Sequence, residues 1–313
     1  MKSVLITGGT GFLGSNATIK LADSGRYKIF VVHRDKSDVN KISVRTKQKI
    51  NFVNLGDPTS IEECFSENEI ESIIHTATNY GRNGESQDLV KEANLSLPIR
   101  ILELAIENKV PHFLNIDTSL NKRNNLYPHL SDYTETKREF TSILMSRSNQ
   151  IQVSNLIVEY MFGPGDGENK FVTLLIRSAI SEFNYKISLT PGEQKRDFVY
   201  IDDVVLAIEC VLNSFKTEKY KFKSFEVGYG ESISLVRFAE EVLKVLGSTA
   251  RPPFGSISYR PDEIMDSKAN IESLLRLGWK PTNTLEEGIL KTTLYYLRQE
   301  KVESDLDQSS LSF

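Results

Sequence analysis

A tyrosine and a lysine four residues apart, Tyr133 and Lys137, form a pair that could carry acid–base chemistry. Residues at positions i and i+4 lie on the same face of a helix. A free tyrosine has a pKa of about 10, too high for proton transfer at neutral pH, but a neighbouring ammonium group favours the phenolate and lowers that pKa. The spacing therefore predicts a tyrosine that exchanges a proton with a substrate oxygen, assisted by the lysine.

Hydroxyl groups stand upstream of this pair, where an apolar segment predicted as a β-strand, residues 112–117, is followed by Thr118 and Ser119. Ligands of open parallel sheets bind at the carboxyl ends of the strands. A hydroxyl group at this point can form a hydrogen bond with the substrate oxygen that Tyr133 protonates. Thr118 and Ser119 both fit this role, and both remain candidates.

A glycine-rich segment near the N-terminus has the spacing of a dinucleotide-binding loop. It follows an apolar strand and opens a helix; Gly9, Gly11 and Gly14 match Gly-x-Gly-x-x-Gly, and Gly8 gives a second register with the last two. Such glycines allow a tight turn and a close approach of the backbone to a pyrophosphate, and the helix N-terminus favours phosphate charge. A glycine-rich turn without a ligand is the alternative, but the strand–loop–helix context favours an NAD(P) site.

The residues after the second predicted strand, 28–33, indicate which dinucleotide binds. NAD enzymes usually present a carboxylate there to the ribose 2′-hydroxyl. Here the strand ends in His33-Arg34, and a guanidinium can bind a 2′-phosphate through two hydrogen bonds, so NADPH is favoured. Asp35 keeps NAD open, and Arg34 could instead be a solvated loop charge. Asp57, after the third strand, is a candidate for contact with the adenine ring.

The elements that position these residues alternate between apolar runs and helical stretches. The predicted strands span residues 3–7, 28–33, 50–55, 72–75, 112–117 and 152–158, with helices at residues 11–23, 60–65, 89–108 and 132–147. Continuously apolar strands joined by helices predict an α/β fold with a Rossmann-type, doubly wound parallel sheet.

The regular alternation ends at the turn-rich residues 162–167. We predict an NAD(P)-binding domain over residues 1–162, to which residues 197–227 return, and a smaller, mixed α/β substrate lobe over residues 163–313. Its helices are predicted at residues 169–181, 202–214, 235–246 and 285–298. The polar tail, residues 303–313, is predicted to be disordered.

The composition excludes several classes of protein. A net charge of −4 with 39% hydrophobic and 26% charged residues is ordinary for a globular protein and offers no basic surface for nucleic acid or an acidic membrane. Two cysteines predict buried thiols rather than a disulfide framework, and the histidines lack metal-site spacing. No segment reads as a signal peptide or a membrane span. We therefore expect a cytoplasmic protein without a metal.

Taken together, the chain is similar to the extended short-chain dehydrogenase/reductases, the family of nucleotide-sugar epimerases, dehydratases and reductases. The resemblance covers residues 3–288, and residues 75–78 resemble the family's His-Leu-Ala-Ala segment. It implies that Tyr133 is the acid–base residue, that Lys137 binds the nicotinamide ribose and that Thr118 completes the triad. The implied cofactor contacts are Gly8, Gly11, Phe12, Leu13, Gly14, His33, Arg34, Asp57, Thr76, Ala77, Thr78, Asn94, Tyr133 and Lys137.

The resemblance also implies a nucleotide-sugar substrate. Residues 192–204 and 259–281 resemble the family segments that bind it, with Arg196 and Arg260 converging on the diphosphate. A structural ion pair of Arg196 with Asp202 or Asp203 is the alternative. The residues expected to contact substrate are Asn79, Tyr80, Arg82, Ser119, Asn169, Lys170, Phe171, Arg196, Arg260 and Asp262.

The reaction can be narrowed within the family. The 4,6-dehydratases carry Asp-Glu directly after the catalytic threonine, whereas Ser119-Leu120 stand there in this chain, so the acid–base pair for elimination is absent. Residues 77–82 and 162–171 resemble the CDP-abequose and CDP-paratose synthases, which reduce carbon 4 of a CDP-3,6-dideoxy-4-ketohexose. The chain departs from the wider family at residues 158–161, where many members have an asparagine that touches the substrate phosphate.

We therefore expect an NADPH-dependent 4-ketoreductase that makes a deoxyhexose for a surface polysaccharide such as an O-antigen. Arg34 agrees with this, because a net reductase consumes NADPH. The alternatives are a 4-epimerase that retains NAD and, more remotely, a non-catalytic NADP-binding sensor. Family members usually dimerise through two helices, here those predicted at residues 89–108 and 132–147, so a homodimer is expected.

Overall fold

A computed structural model describes the backbone of residues 1–82, 84–122, 130–181 and 187–310, and the side chains of these residues as far as Glu300. The chain divides into two units. Unit 1 comprises Met1–Val158, Val204–Val227 and Ile271–Lys280, and unit 2 comprises Glu159–Asp203, Gly228–Asn270 and Pro281–Phe313. The first boundary thus lies at Val158 rather than at residue 162, and a short C-terminal segment also belongs to unit 1, which the sequence analysis did not foresee.

Twelve β-strands lie within the described residues. They are β1 (Lys2–Thr7), β2 (Tyr27–His33), β3 (Ile50–Asn54), β4 (Ser72–His75), β5 (His112–Thr118), β6 (Gln152–Val158), β7 (Tyr160–Phe162), β8 (Lys195–Arg196), β9 (Phe198–Tyr200), β10 (Phe222–Val227), β11 (Ile233–Ser234) and β12 (Asp266–Ser267). Seven of them form the sheet of unit 1 in the order β10-β6-β5-β4-β1-β2-β3. All neighbouring strands in that sheet are parallel. The predicted doubly wound parallel sheet is therefore confirmed, with β10 as a seventh strand.

The helices follow the predicted pattern with four differences, the first of which is that the short helix at Asn40–Ser43 was not predicted. The helices are α1 (Phe12–Asp23), α2 (Asn40–Ser43), α3 (Ser60–Glu67), α4 (Gln87–Lys91), α5 (Leu97–Glu107), α6 (Ser131–Arg147), α7 (Phe171–Ile180), α8 (Ile201–Ser214), α9 (Leu235–Leu246), α10 (Glu272–Arg276) and α11 (Leu285–Ser310). The helix predicted at residues 89–108 is interrupted by a π-helical turn at Glu92–Ser96, and α10 was not predicted. The last helix continues to Ser310 through residues expected to be disordered, because no glycine or proline interrupts them.

One face of the large sheet packs against α3, α5 and α6. Leu5, Ile73, Phe113 and Val153 of the strands lie in one buried cluster with apolar side chains of these helices, among them Phe140. Burying side chains of this size stabilises each by about 1.5–3 kcal/mol. The core therefore fixes α6, which carries Tyr133 and Lys137, against the strand that carries Thr118.

Unit 2 contains short strands and helices of mixed direction. Strand β8 pairs antiparallel with β11 and parallel with β12, and β7 pairs parallel with β9. Aromatic rings from β7, β9, α7 and α9 make its core, with Phe198 and Phe238 only 4.1 Å apart between ring centroids. Both cysteines are free thiols. Cys64 is buried, as predicted, whereas Cys210 is half-buried. Among the described residues, no helix is long and apolar enough to cross a membrane.

Candidate active site

The glycine loop between β1 and α1 leaves no room for side chains. Gly8 has a φ of +69°, and a Cβ placed there would lie 2.5 Å from the backbone nitrogen of Ala77. A Cβ on Gly14 would lie 2.2 Å from the carbonyl oxygen of Gly8 and 2.6 Å from Oγ1 of Thr76. The loop thus packs directly on the segment that follows β4, as the predicted packing of helix and strand requires.

The first turn of α1, which includes Phe12 and Leu13, fits the pyrophosphate of a dinucleotide. Gly11 precedes the helix without a capping side chain, and no acidic residue lies in the first turn. The amide N–H groups of that turn are therefore not bonded by a capping side chain, and the helix dipole favours negative charge there. An anionic group would be held by backbone N–H groups, in agreement with an NAD(P) site.

Two side chains that follow β2, Arg34 and Asp35, are candidates for contact with the ribose of the cofactor. Arg34 is exposed, whereas the carboxylate of Asp35 accepts a hydrogen bond from Nδ2 of Asn54 at 2.8 Å. Asp57 caps the approach to α3, because its Oδ1 accepts the N–H of Thr59 at 3.1 Å. The Asp35 carboxylate is therefore directed toward the end of β3, and that of Asp57 toward the start of α3.

At the edge of the same sheet, the half-buried ring of His33 lies edge-on to Phe52, with the centroids 5.8 Å apart. Its Nδ1 lies 3.1 Å from the carbonyl oxygen of Arg34. These contacts hold the strand end in place, and they leave the role of His33 toward a cofactor as a prediction.

Asn94 joins the segment after β4 to α6. Its Oδ1 accepts the N–H of Asn79 at 2.7 Å and the hydroxyl of Thr78 at 3.3 Å, and its Nδ2 donates to the carbonyl oxygen of Asn79 at 2.8 Å and to Oγ1 of Thr136 at 3.2 Å. Asn94 is fully buried within the π-helical turn. Through these hydrogen bonds, the Asn94 amide orders the segment beside the glycine loop. π-Helical turns often occur at functional sites, and this one lies next to the candidate active site.

Tyr133 lies in the first turn of α6 and meets Thr118 and Tyr80. Its side chain is buried, and the hydroxyl groups of Thr118 and Tyr80 lie close enough to influence its pKa. The centroids of the two tyrosine rings are 4.7 Å apart, and the guanidinium of Arg82 lies 5.3 Å from the ring centroid of Tyr80. Of the two candidate hydroxyl groups, Thr118 contacts the tyrosine, whereas Ser119 begins the 3₁₀ turn that follows β5.

The protonation of Tyr133 differs from the expectation. Burial raises its pKa well above the ordinary value, and Tyr80 and Asp117 raise it further, whereas the hydrogen bond from Thr118 lowers it. The sequence analysis expected Lys137 to lower this pKa. The reason for the difference is that desolvation dominates for a phenol with almost no exposed surface. Tyr133 is therefore held as the neutral phenol, which is the form that can donate a proton.

Lys137 is anchored one turn further along α6. Its Nζ donates to the carbonyl oxygen of Ile116 at 2.8 Å, and the side chain is buried. Burial lowers the pKa of Lys137 to about 8, an effect that Asp117 opposes. His75, which lies at the end of β4, has a pKa well below its ordinary value because of burial and the charge of Lys137. The lysine is therefore the cation of this cluster at neutral pH, and the histidine is uncharged.

Asp117 is the residue of this cluster that the sequence analysis did not assign. It is buried, and its carboxylate accepts hydrogen bonds from the N–H of Thr118 at 2.8 Å and from Oγ1 of Thr141 at 3.1 Å. The available signal was a run of polar residues, Asn115, Asp117 and Thr118, within a strand expected to be continuously apolar. Spacing alone could not distinguish their roles, because it does not reveal burial.

In unit 2, Arg196 makes an ion pair that the sequence analysis did not predict. Its Nη2 lies 2.5 Å from Oε1 of Glu263, its Nη1 donates to the carbonyl oxygen of Ile264, and its guanidinium lies 5.1 Å from the ring centroid of Tyr160. The suggested structural partner Asp203 instead accepts the N–H of Thr282 at 2.8 Å. Arg196 is therefore a buried, charge-paired side chain.

The other predicted substrate residues of unit 2 are placed as follows. Arg260 and Asp262 are exposed in the loop before β12, and Asn169 is exposed just before α7. Lys170 immediately precedes α7 and is half-buried. The ring of Phe171 lies against Phe198 and Phe238, with centroid separations of 6.4 and 6.1 Å, so it contributes to the aromatic core of unit 2.

A glycine-rich loop at the start of a helix, next to a buried tyrosine, lysine and threonine at the carboxyl ends of parallel strands, defines an NAD(P)-binding enzyme of the short-chain dehydrogenase/reductase class. The chain belongs to the NAD dependent epimerase/dehydratase family, which it matches over residues 4–228.

Two individual relatives and one solved structure are similar to this chain over most of its length. CDP-abequose synthase of Salmonella typhimurium is 33% identical over 290 residues, covering 91% of this chain and 95% of that protein. CDP-abequose synthase of Salmonella muenchen is also 33% identical, over 93% of this chain and 96% of that protein. Among solved structures, UDP-glucose-4-epimerase of Stenotrophomonas maltophila, with bound NAD and formylated UDP-arabinopyranose, has a TM-score of 0.83 at 19% identity, covering 96% of this chain and all of that one. The structural likeness supports the fold alone, and the two synthases are similar to this chain in sequence over nearly its whole length.

Proposed function

We propose that this protein is an NADPH-dependent 4-ketoreductase of a nucleotide-activated deoxyhexose, such as a CDP-3,6-dideoxy-4-ketohexose. The observation that carries the proposal is the buried cluster at the carboxyl end of β5, in which Tyr133 and Lys137 of α6 lie beside Thr118. The substrate class is supported by the 33% identity to CDP-abequose synthase over nearly the whole of both chains. The product would be a deoxyhexose for a surface polysaccharide.

Tyr133 is suited to the proposed reduction. Reduction of a ketone leaves an alkoxide that must receive a proton, so the catalytic phenol must start protonated. Burial raises the pKa of Tyr133, which keeps the side chain in that form. We propose reduction rather than epimerisation because of the 33% identity to CDP-abequose synthase.

Each residue of the cluster has a defined part in the proposed reaction. A bound nicotinamide cofactor supplies the hydride. The Thr118 hydroxyl orients the substrate oxygen, and Tyr133 donates its proton to that oxygen as negative charge develops. Lys137, whose ammonium group is the local cation below about pH 8, then stabilises the tyrosinate and contributes to the ribose site.

Arg34 supports NADPH as the cofactor. The carboxylate that could have selected NAD, Asp35, is hydrogen-bonded by Asn54, whereas Arg34 is exposed at the end of β2. A guanidinium attracts a 2′-phosphate dianion and a carboxylate repels it. We therefore assign the 2′-phosphate to Arg34, with Gly8, Gly11 and Gly14 shaping the pyrophosphate loop.

Arg196 and Arg260 are the proposed ligands of the substrate diphosphate. Arg196 already pairs with Glu263, so phosphate oxygens would share the guanidinium with that carboxylate or replace it. The aromatic face of Tyr160 lies against the guanidinium, and Tyr160 lies within residues 158–161, the segment where many family members have the asparagine described above.

The enzyme is further proposed to be a cytoplasmic homodimer formed through α5 and α6, which sedimentation of the purified protein would test.

The direct test is consumption of NADPH, followed by absorbance, with a freshly made CDP-4-keto-3,6-dideoxyhexose. We expect rapid oxidation of NADPH and slower rates with NADH or with a dTDP-linked sugar. No oxidation of NADPH, together with NAD bound to the protein as purified, would refute the reductase and indicate the epimerase.

A matched pair of variants tests the role of Tyr133. Tyr133→Phe removes the proton donor and should lower turnover by about 100-fold or more without weakening NADPH binding. The control is Tyr27→Phe, which also removes a buried phenol hydroxyl. Tyr27 lies at the start of β2, at the opposite ends of the strands from Tyr133, and its hydroxyl donates to Oδ1 of Asn213 at 3.1 Å. Near-normal turnover of Tyr133→Phe would remove Tyr133 from the mechanism.

A further inference from the structure

A row of buried polar side chains crosses the large sheet below the catalytic cluster. Asn115 of β5 lies opposite Asn155 of β6, and its Nδ2 donates to Oδ1 of Asn155 at 2.7 Å. Nδ2 of Asn155 in turn donates to Oδ2 of Asp117 at 3.2 Å. All three side chains are buried. Strands covered on both faces are normally apolar, so this row needs a physical explanation.

The Asp117 carboxylate is surrounded by hydrogen-bond donors. Oδ1 accepts hydrogen bonds from the N–H of Thr118 at 2.8 Å and from Nδ2 of Asn121 at 3.2 Å. Oδ2 accepts from Nδ2 of Asn155 at 3.2 Å and from Oγ1 of Thr141 at 3.1 Å. Amide N–H groups can only donate, so of these four partners only the threonine hydroxyl could accept a carboxyl proton. The site therefore stabilises an anion.

Several ionisable groups surround this carboxylate. On α6, the charge of Asp117 raises the pKa values of both Lys137 and Tyr133. The Lys137 ammonium group donates to the carbonyl oxygen of Ile116, the residue before Asp117. At the end of β4, His75 is uncharged at neutral pH, and in the segment that follows β4, Tyr80 lies beside Tyr133. In the 3₁₀ turn, Lys122 is neutralised by Glu226 at 2.5 Å. Asp117 thus faces α6, where it is bonded by Thr141, which lies one turn beyond Lys137 on the same face of the helix.

We infer that Asp117 is a positioning residue whose buried negative charge keeps Lys137 cationic. Burial alone drives Lys137 toward the neutral amine, and the carboxylate opposes this effect. Through the hydrogen bond to its N–H, Asp117 also fixes the backbone at Thr118. The catalytic consequence rests on the proposed function, but the electrostatic effect on Lys137 does not.

The electrostatic effect can be measured without substrate. Lysines labelled with ¹³C at Cε are titrated by NMR, and the Lys137 signal is identified by its loss in Lys137→Met. We expect a midpoint of about 8 in the natural protein, and a midpoint lower by about one pH unit or more in Asp117→Asn. Asp117→Ser, which removes the charge with a smaller side chain, should give the same decrease if asparagine is not tolerated.

The control removes an equal charge from α6, the helix that carries Lys137. Asp132 lies one residue before Tyr133, and its Oδ1 accepts a hydrogen bond from Gln87 at 2.8 Å. Because Asp132 is partly exposed and screened by solvent, Asp132→Asn should leave the Lys137 midpoint unchanged. An unchanged midpoint in the Asp117 variants, or an equal decrease in Asp132→Asn, would overturn the inference.

A kinetic readout separates this inference from the proposed function. In an active reductase, the alkaline decline of kcat/KM should move to lower pH in Asp117→Asn by the same amount as the NMR midpoint. A shifted midpoint with no NADPH oxidation in the natural protein would leave Asp117's role intact and reject the reductase. An active reductase whose alkaline decline is unchanged in Asp117→Asn would reject the role of Asp117 alone.

Discussion

The turn at Gly8 provides a sharp test of whether the glycine loop is shaped for a dinucleotide. Replacing Gly8 with alanine adds a single Cβ at a residue with a φ of +69°, and that atom would lie 2.5 Å from the nitrogen of Ala77 and 2.6 Å from its Cα. Gly25, in the turn after α1, has nearly the same φ, +67°, but nothing lies within 4 Å of an added Cβ. The two substitutions therefore share the backbone strain and differ in the steric clash.

The magnitudes follow from these distances. A non-glycine residue in the left-handed region costs about 1–2 kcal/mol, which is the expected loss for Gly25→Ala. Carbon contacts are favourable at roughly 3.5–4 Å, so in Gly8→Ala the loop and the segment after β4 must separate by about 1 Å. Overpacking of this kind adds about 1–3 kcal/mol. Gly8→Ala should therefore destabilise the protein by about 2–5 kcal/mol in total.

Thermal denaturation with and without NADPH measures both effects. A ligand that binds only the folded protein raises Tm according to its concentration relative to Kd. Gly25→Ala should keep the full rise in Tm with NADPH, while Gly8→Ala should show a lower Tm and lose most of that rise, because the displaced loop weakens NADPH binding by about tenfold or more. Equal Tm values and equal responses to NADPH in the two variants would refute the argument from close packing.

Two further predictions concern charge. Lys137 loses its proton as the pH rises through about 8, so kcat/KM of the natural enzyme should decline above that pH; a profile that stays level to about pH 10, the region of an unperturbed lysine, would contradict the burial argument. Arg34→Ala should raise KM for NADPH by about tenfold, the loss of one charge-assisted contact of about 1.4 kcal/mol, with little change for NADH, and an equal effect on both cofactors would remove Arg34 from the 2′-phosphate site.

The large sheet could be predicted from sequence because buried parallel strands are continuous apolar runs. The bounds predicted for β4 and β6 match the observed Ser72–His75 and Gln152–Val158. Strand β10 (Phe222–Val227) was missed, because its alternation of polar and apolar residues reflects an edge position. The π-helical turn at Glu92–Ser96 was missed as well, since it depends on the hydrogen bonds of Asn94 to a distant segment.

The candidate site could be predicted to the extent that it depends on local spacing. The interval between Tyr133 and Lys137 and the glycine pattern both express local geometry, helical periodicity and a tight turn. The protonation of Tyr133 could not be predicted in this way, because it depends on burial and on Tyr80 and Asp117, residues remote in sequence. The pairing of Arg196 with Glu263 is likewise a long-range contact, which no pattern around Arg196 indicates.

The polar residues inside β5 and β6 show how such a site can be recognised in other sequences. Burying an unpaired amide or carboxylate costs several kcal/mol, so polar side chains persist in the core of a parallel sheet where hydrogen bonds or a function compensate. Asn155 and Asp117 are compensated by the bonds that join them, and the row ends beside the catalytic lysine. Polar residues near the ends of apolar strands, just before a predicted catalytic hydroxyl, are therefore candidates for side chains that shift the pKa values of catalytic groups. Asp117 is the example that can be tested in this protein.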